Sequence, residues 1–304
     1  MNEFKKVTTE ASNTSTKEID LLSTKDMLLK INDEDLKVAE AVREAIDQIT
    51  VVVDEIVNSF MNDGRLIYMG AGTSGRIGIL DSVECPPTYG VPSNMVMCLM
   101  AGGDNAFVKA VEGAEDSKEL AVEDLKSVKL SKNDIVIGIA ASGRTPYVIG
   151  GIEYAKQVGA KTACITTSKG SVLASIVDYP IEAVTGQEVI TGSTRMKSGT
   201  AQKLICNMLS TGSMIKMGKV YENYMIDVMA TNEKLVARSY TIVSEITGCN
   251  VDEAKEKIEK YGTIKKALIA YFTGVEEVEV IEKALLKVKG NIRHAIKAIQ
   301  EGDC

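Results

Sequence analysis

The residues best placed to do chemistry lie in short loops rich in glycine and hydroxyls. "GAGTSGRIG" at 70–78 directly follows the apolar run "RLIYM". Gly70 and Gly72 permit a tight turn and close approach of a ligand to the backbone, and Thr73 and Ser74 add hydroxyl donors. A helix opening near Ser74 would aim its first N–H groups at the same point, an arrangement that holds anions. The stretch is not a nucleotide P-loop, because no Gly-Lys-Ser/Thr follows. It is not a dinucleotide fingerprint either: the third glycine arrives at Gly75, but Thr73 and Ser74 crowd the turn. A second loop, "AASGRTPYV" at 140–148, repeats the chemistry with Ser142, Gly143 and Thr145. Pro146 suits the first turn of a helix, where its missing N–H costs nothing. Two such loops at strand ends of one sheet would converge on one phosphorylated ligand.

Proton transfer has few candidates. The only histidine, His294, lies in "GNIRHAIK" near the end of the chain. That excludes a multi-histidine metal site and leaves a Ser-His-Asp triad only a distant tail to draw on. His294 itself reads as a surface or packing residue. The six cysteines, at 85, 98, 164, 206, 249 and 304, form no C-x-x-C pair and sit mostly in apolar or helical runs. They imply free thiols and a reducing, cytoplasmic setting. Acid–base work therefore falls to carboxylates, Lys, Tyr or Cys. Glu84 in "SVECPPTYG" follows the first loop by one helix. The paired prolines are expected to end that helix at Cys85, leaving Glu84 partly buried and its pKa raised. Glu115 in "AVEGAEDSKEL" is one of four nearby acids, and spacing alone does not choose it over Glu112, Asp116 or Glu119. In "GSTRMKSGT" at 192–200, Ser193, Thr194, Arg195 and Lys197 either contact a substrate anion or serve the fold.

These residues need a frame to hold them. Over 304 residues with 45% hydrophobic side chains and no Trp, the chain can bury a large aliphatic core. A net charge of −7 argues against nucleic acid or anionic membrane as partner. Residues 1 to about 16 read as flexible, and 33–61 as one long amphipathic helix opened by "DEDLK". Short apolar runs at 65–70, 95–100, 134–141, 161–167 and 179–184 read as strands buried on both faces. Helical stretches at 74–84, 106–127 and 146–158 alternate with them. The pattern predicts an α/β fold, an open parallel sheet with helices on both faces. From 197 onward it is helical, with long helices over 197–218 and 231–247. "GTIKKALI" at 262–269 resembles "GNIRHAIK" at 290–297, and each follows a "TG" at 247–248 or 273–274, which predicts two small helical hairpins. The expected divisions are 1–62 (N-terminal segment and long helix), 63–230 (sheet domain) and 231–304 (small all-helical subdomain).

"GAGTSGR" and "SGRTP" together resemble the sugar isomerase (SIS) domain, a flavodoxin-like fold that binds phosphosugars. "MGAGTSGRIGILDSVECPPTYG" (69–90) and "TGQEVITGSTRMKSGTAQK" (185–203) resemble the two signatures of the N-acetylmuramic acid 6-phosphate etherase family. The opening "TTEASNTSTKEIDLLSTKDMLLKINDED" is similar to that family's too. The second signature usually reads Gly-Pro-Glu where this chain has Gly186-Gln187-Glu188, and it is shared with the related glucokinase regulatory protein. The resemblance implies loss of the D-lactyl group from C3 of the sugar by elimination, then addition of water. It marks Glu84 as proton donor to the lactyl oxygen and Glu115 as the base at C2. It implies that Ser142, Gly143 and Thr145 hold the phosphate, which with the hydroxyls of the first loop leaves Gly72, Thr73 and Ser74 for the sugar. Ser193, Thr194, Arg195 and Lys197 are candidate contacts for the lactyl carboxylate or the phosphate, or serve structural roles at a subunit interface. It further implies a homodimer with the site near the interface, with no cofactor and no metal. An aldose–ketose isomerase and a non-catalytic phosphosugar sensor remain alternatives on the same fold.

Overall fold

The computed structural model describes residues 8–109, 111–227 and 233–303. The chain gathers into two compact units, one of residues up to 83 with 93–210, the other of 84–92 with everything from 211 onward. The expected boundary between 230 and 231 lies outside the described residues, as do residues 1–7 of the segment read as flexible. Residues 8–16 are tied down: Thr16 is buried, and its hydroxyl donates to the Val189 carbonyl at 2.8 Å.

The larger unit opens with α1 (Thr24–Glu44) and α2 (Ile46–Met61). The single helix expected over 33–61 is therefore two, and the first starts earlier. Ser23 caps it by accepting from the Asp26 N–H, a local signal that outweighs the acidic run further on. The break falls at Ala45 (φ −93°, ψ 4°), marked by neither glycine nor proline. Then come β1 (Leu66–Gly70), α3 (Gly72–Tyr89), β2 (Val96–Met100), α4 (Asn105–Val108), α5 (Lys118–Ser127), β3 (Ile135–Ile139), α6 (Pro146–Val158), β4 (Lys161–Thr166), α7 (Val172–Ile176), β5 (Tyr179–Glu182) and α8 (Lys197–Lys216). The five strands occupy the expected runs and pair in parallel in the order β2-β1-β3-β4-β5.

Side chains alternate across the sheet with period two. Ile67, Met69, Val136 and Cys164 enter one core with Leu125 of α5, Tyr147 and Ile152 of α6 and Leu173 of α7. Tyr68 points the other way, toward α3 and α8: its hydroxyl donates to Asp81 Oδ2 at 3.1 Å and approaches the Cys206 carbonyl at 3.5 Å. Ser210 donates to Asp81 Oδ1 at 2.9 Å. Burial pushes the Asp81 carboxyl up to about 6, although these hydroxyls favour its charged form.

Two helices differ from expectation. The stretch 106–127 breaks into α4, a 3-10 turn over Ala114–Asp116 and α5, because Gly113 adopts φ +76° and Ser117 starts a new helix by capping Leu120. Helix α3 does not stop at Cys85. It carries Pro86 and Pro87 in its last turn and ends at Gly90, whose φ of +62° supplies the left-handed residue that closes a helix.

The smaller unit holds a two-stranded ribbon, β6 (Val220–Tyr221) and β7 (Tyr224–Met225), then α9 (Glu233–Thr247), α10 (Val251–Tyr261), α11 (Ile264–Thr273), α12 (Val278–Lys287) and α13 (Ile292–Gln300). The repeat becomes two hairpins, α10–α11 and α12–α13, turned at Gly262 (φ +81°) and Gly290 (φ +83°) and recapped by Thr263 and Asn291. Lys265 of the first copy, nearly buried, donates to Asp227 and to the Gly290 carbonyl of the second.

Candidate active site

Strand order reverses between β1 and β3, whose connections leave toward opposite sides. In such sheets ligands bind outside the carboxyl ends at that point. Gly70 at the end of β1 pairs in register with Ile139 at the end of β3, so both glycine-hydroxyl loops leave the sheet at one level. Helix α3 starts at Gly72 (φ +54°), two residues earlier than expected, which puts Thr73 and Ser74 in its first turn. A Cβ on Gly75 would lie 2.8 Å from the Gly70 carbonyl oxygen and 2.7 Å from Met100 Cγ, so only glycine lets the helix rest on the strand ends.

Three further segments close around these loops. Ser74 donates to Gln202 Oε1 of α8 at 2.9 Å, while Nε2 of the same buried amide has no partner among the described residues. Thr73 lies against Gly199, where an added Cβ would come within 3.4 Å of its methyl. Thr167, after β4, donates to the Ala141 carbonyl at 3.2 Å and to Ser198 Oγ at 2.9 Å, joining the second loop to the start of α8. Gly143 (φ +64°) sits so close to Ser171 that a Cβ would be 2.3 Å from its hydroxyl. Thr145 precedes α6 without capping it. The Ser142 and Thr145 hydroxyls have no partner among the described residues.

The start of α8 is closed. Glu188, fully buried, accepts from the Lys197 and Ser198 N–H groups at 3.0 and 2.9 Å. Gln187, the departure from the family's Gly-Pro-Glu, is exposed on the preceding turn and leaves this cap intact. The Lys197 ammonium is 1% exposed and donates to Glu34 Oε2 at 2.7 Å. A buried ammonium needs such a partner, and this one occupies the charge expected to meet a substrate anion. Desolvation would raise the Glu34 pKa, but hydrogen bonds from Lys197, Lys37 and Ser15 outweigh it and hold the carboxyl at about 2. Ser193 and Thr194 are half-buried and Arg195 is exposed.

The acids separate. A cavity of about 210 Å³ is lined by Gly72, Arg76, Met100, Ala101, Glu112 and Glu115 among others. Of the four acids that spacing left open, Asp116 and Glu119 do not line it. Glu84 lies far along α3 and is exposed; Cys85, 2% exposed, takes the buried position beside it. The expected partial burial of Glu84 is therefore not met, because the helix runs on through the prolines instead of ending there. His294 is exposed in the first turn of α13.

Sequence reasoning passed over Arg76. It sits one turn into α3, four residues after Gly72, and its Nε and Nη2 donate to the Phe107 and Ala106 carbonyls at 2.8 and 2.9 Å. The available signal was its place inside the glycine loop's own helix. Among the described residues no group of three or more His, Cys, Asp or Glu is placed to hold a metal ion, and no helix is long and apolar enough to cross a membrane.

Known proteins resemble this chain over most of its length. The glucokinase regulatory protein N-terminal SIS domain matches residues 48–156, and the SIS domain matches 117–212. Phosphoheptose isomerase from Neisseria gonorrhoeae shares the fold at 13% identity and a TM-score of 0.50, covering 63% of this chain and 98% of its own. The N-acetylmuramic acid 6-phosphate etherase of Bacillus cytotoxicus is 52% identical over 96% of this chain and 100% of its own length. Those of Clostridium botulinum strain Langeland and Bacillus cereus strain ATCC 14579 are also 52% identical, over 97% and 95% of this chain and 97% and 99% of theirs. With near-complete coverage in both directions, this chain belongs to the N-acetylmuramic acid 6-phosphate etherase family.

Proposed function

We propose that the protein converts N-acetylmuramic acid 6-phosphate and water to N-acetylglucosamine 6-phosphate and D-lactate, a step of amino-sugar recycling from the bacterial wall in the cytoplasm. The observation that carries the reading is the cavity lined both by Gly72 of the first loop and by Glu115. The phosphate sits on the second loop, on Ser142, Thr145 and the opening N–H groups of α6, with Gly143 admitting it to the backbone. The sugar lies along Gly72, Thr73 and Ser74. With the ring open, the C1 aldehyde acidifies the C2 hydrogen. Glu115 takes that proton, the C3–O bond breaks, and an acid protonates the departing lactate oxygen. Water then adds across the C2=C3 double bond, its hydroxyl to C3 and a proton to C2. The sequence balances without a redox partner, so no cofactor enters the proposal.

Glu84 is the proposed acid, and helix geometry supports a place for it away from the first loop of its own chain. It lies twelve residues after Gly72 on α3, about 18 Å along the axis at 1.5 Å per residue. A glutamate side chain does not span that distance. We therefore place Glu84 in the site of a second copy, in a homodimer. Leu80 and Val83, 48% and 57% exposed just before it, would find cover there. Ser193, Thr194 and Arg195 remain proposed contacts at the rim, and Lys197 is assigned to the fold.

Incubation with N-acetylmuramic acid 6-phosphate in deuterated water tests the chemistry: D-lactate and deuterium at C2 are expected. A ketose without lactate would establish an isomerase, and binding without turnover a sensor. Co-expressed Glu84→Gln and Glu115→Gln chains, each inactive alone, should recover about a quarter of wild-type activity through the half of dimers that carry one intact composite site. No recovery would sink the shared site.

A further inference from the structure

Resting on the etherase reading, one requirement of the substrate is met by no residue of the cavity named so far; Ser193, Thr194 and Arg195 are proposed only at the rim. The lactyl group carries a carboxylate, and the cavity that would receive the C3 side of the sugar is lined by two carboxylates, Glu112 and Glu115. An anion entering beside them meets like-charge repulsion unless a cation faces it. Arg76 is the only cation among the residues that line this cavity. Lys197, expected to meet such an anion, is committed to Glu34, and the N-terminus of α8 is closed by Glu188.

The guanidinium is also held in place. Its Nε and Nη2 are fixed on the consecutive carbonyls of Phe107 and Ala106, and Ala106 is itself buried at 2% exposure. Nη1 has no hydrogen-bond partner among the described residues. Two neutral carbonyls orient the group without neutralising it, so a full positive charge and a free N–H edge remain. A carboxylate taken on that edge gains a charge-assisted hydrogen bond from a donor that needs no reordering. Because the helix that carries Arg76 also carries Gly72 one turn earlier, the sugar and its lactyl branch would be gripped by one rigid element.

We propose that Arg76 receives the lactyl carboxylate and makes the enzyme selective for acidic ethers. The experiment compares two substrates: the natural lactyl ether and the 3-O-ethyl ether of the same sugar phosphate, in which hydrogen replaces the carboxylate. Lactate and ethanol release give kcat/KM for each. Any intrinsic difference between the leaving groups is common to all variants and cancels in the ratio. Relative to wild type, Arg76→Met should lose about 10- to 100-fold of the preference for the lactyl ether, the range for a hydrogen bond to a charged group, chiefly by slowing the lactyl substrate. Arg76→Lys keeps a cation but not the fork. It should lose a smaller part of the preference, about 3- to 10-fold, and it serves if Arg76→Met shows no cooperative melting. A variant that slows both ethers equally, with the preference unchanged, would overturn the proposal and make Arg76 a latch for the 106–107 backbone. Failure of the wild-type protein to release any lactate would overturn the etherase reading itself, and this inference with it.

Discussion

Replacing Glu34 by Gln should cost the larger unit about 3 kcal/mol at neutral pH, and the loss should shrink in acid. Glu34 is 3% exposed, and its native carboxyl titrates at about 2 against an ordinary 4.5. That shift of about 2.5 units, at about 1.36 kcal/mol each, gives the roughly 3 kcal/mol. Between those two values the unfolded chain binds more protons than the native one, so stability rises with pH across the window. It is full above about 4.5 and lost as pH falls through about 2. By the same relation less than half of the contribution remains at about pH 3. Glutamine keeps an acceptor for Lys197 but not the charge, leaving a buried ammonium uncompensated. Urea unfolding followed by far-UV circular dichroism, at neutral pH and near pH 3, reads both numbers. The double variant Glu34→Leu/Lys197→Met should regain most of the loss, since an apolar pair often replaces a buried ion pair at little cost. A single-variant cost below about 1 kcal/mol, or one that does not change with pH, would refute the assignment of stability to this pair.

Asp81 should behave in the opposite sense. Its native carboxyl, at about 6, holds its proton more tightly than the unfolded one at 3.8, so the stability it confers is complete below about 4 and lost as pH rises through about 6. Asp81→Asn should therefore raise the melting temperature near pH 8 and leave it unchanged near pH 4; equal shifts at both would refute this. Gly143→Ala must place a Cβ at φ +64° against the Ser171 hydroxyl. It should raise KM for the phosphosugar at least about tenfold, because the second loop's backbone has to move. Retained affinity for substrate would exclude that loop as the phosphate site.

The strands were legible because a parallel strand buried on both faces is a short unbroken apolar run, here set between glycine-rich loops and helical stretches. The two loops were legible because glycine and hydroxyls at strand ends have few other uses. What escaped was set by distance in sequence. Lys197 looks like a free basic residue until the fold brings Glu34, 163 positions earlier, against it. Glu188 looks like part of a signature turn until it closes α8. The prolines at 86 and 87 misled, because the helix runs on through them and Gly90, with its left-handed φ, is the stronger stop. Arg76 was hidden by its setting, since a residue inside a glycine loop reads as spacing until a cavity opens beside it.

Helix α3 has a further consequence for how this chain can vary. One continuous helix runs from the sugar loop past Arg76 to Glu84 and the proline pair. Such a rod transmits phase as well as distance: each residue advances the face by about 100°. Insertion of one residue after Arg76 would swing Glu84 away and bring its neighbours round. Changes of length inside α3 are therefore tolerable only in near-whole turns, which makes this segment the gauge against which the rest of the site is set.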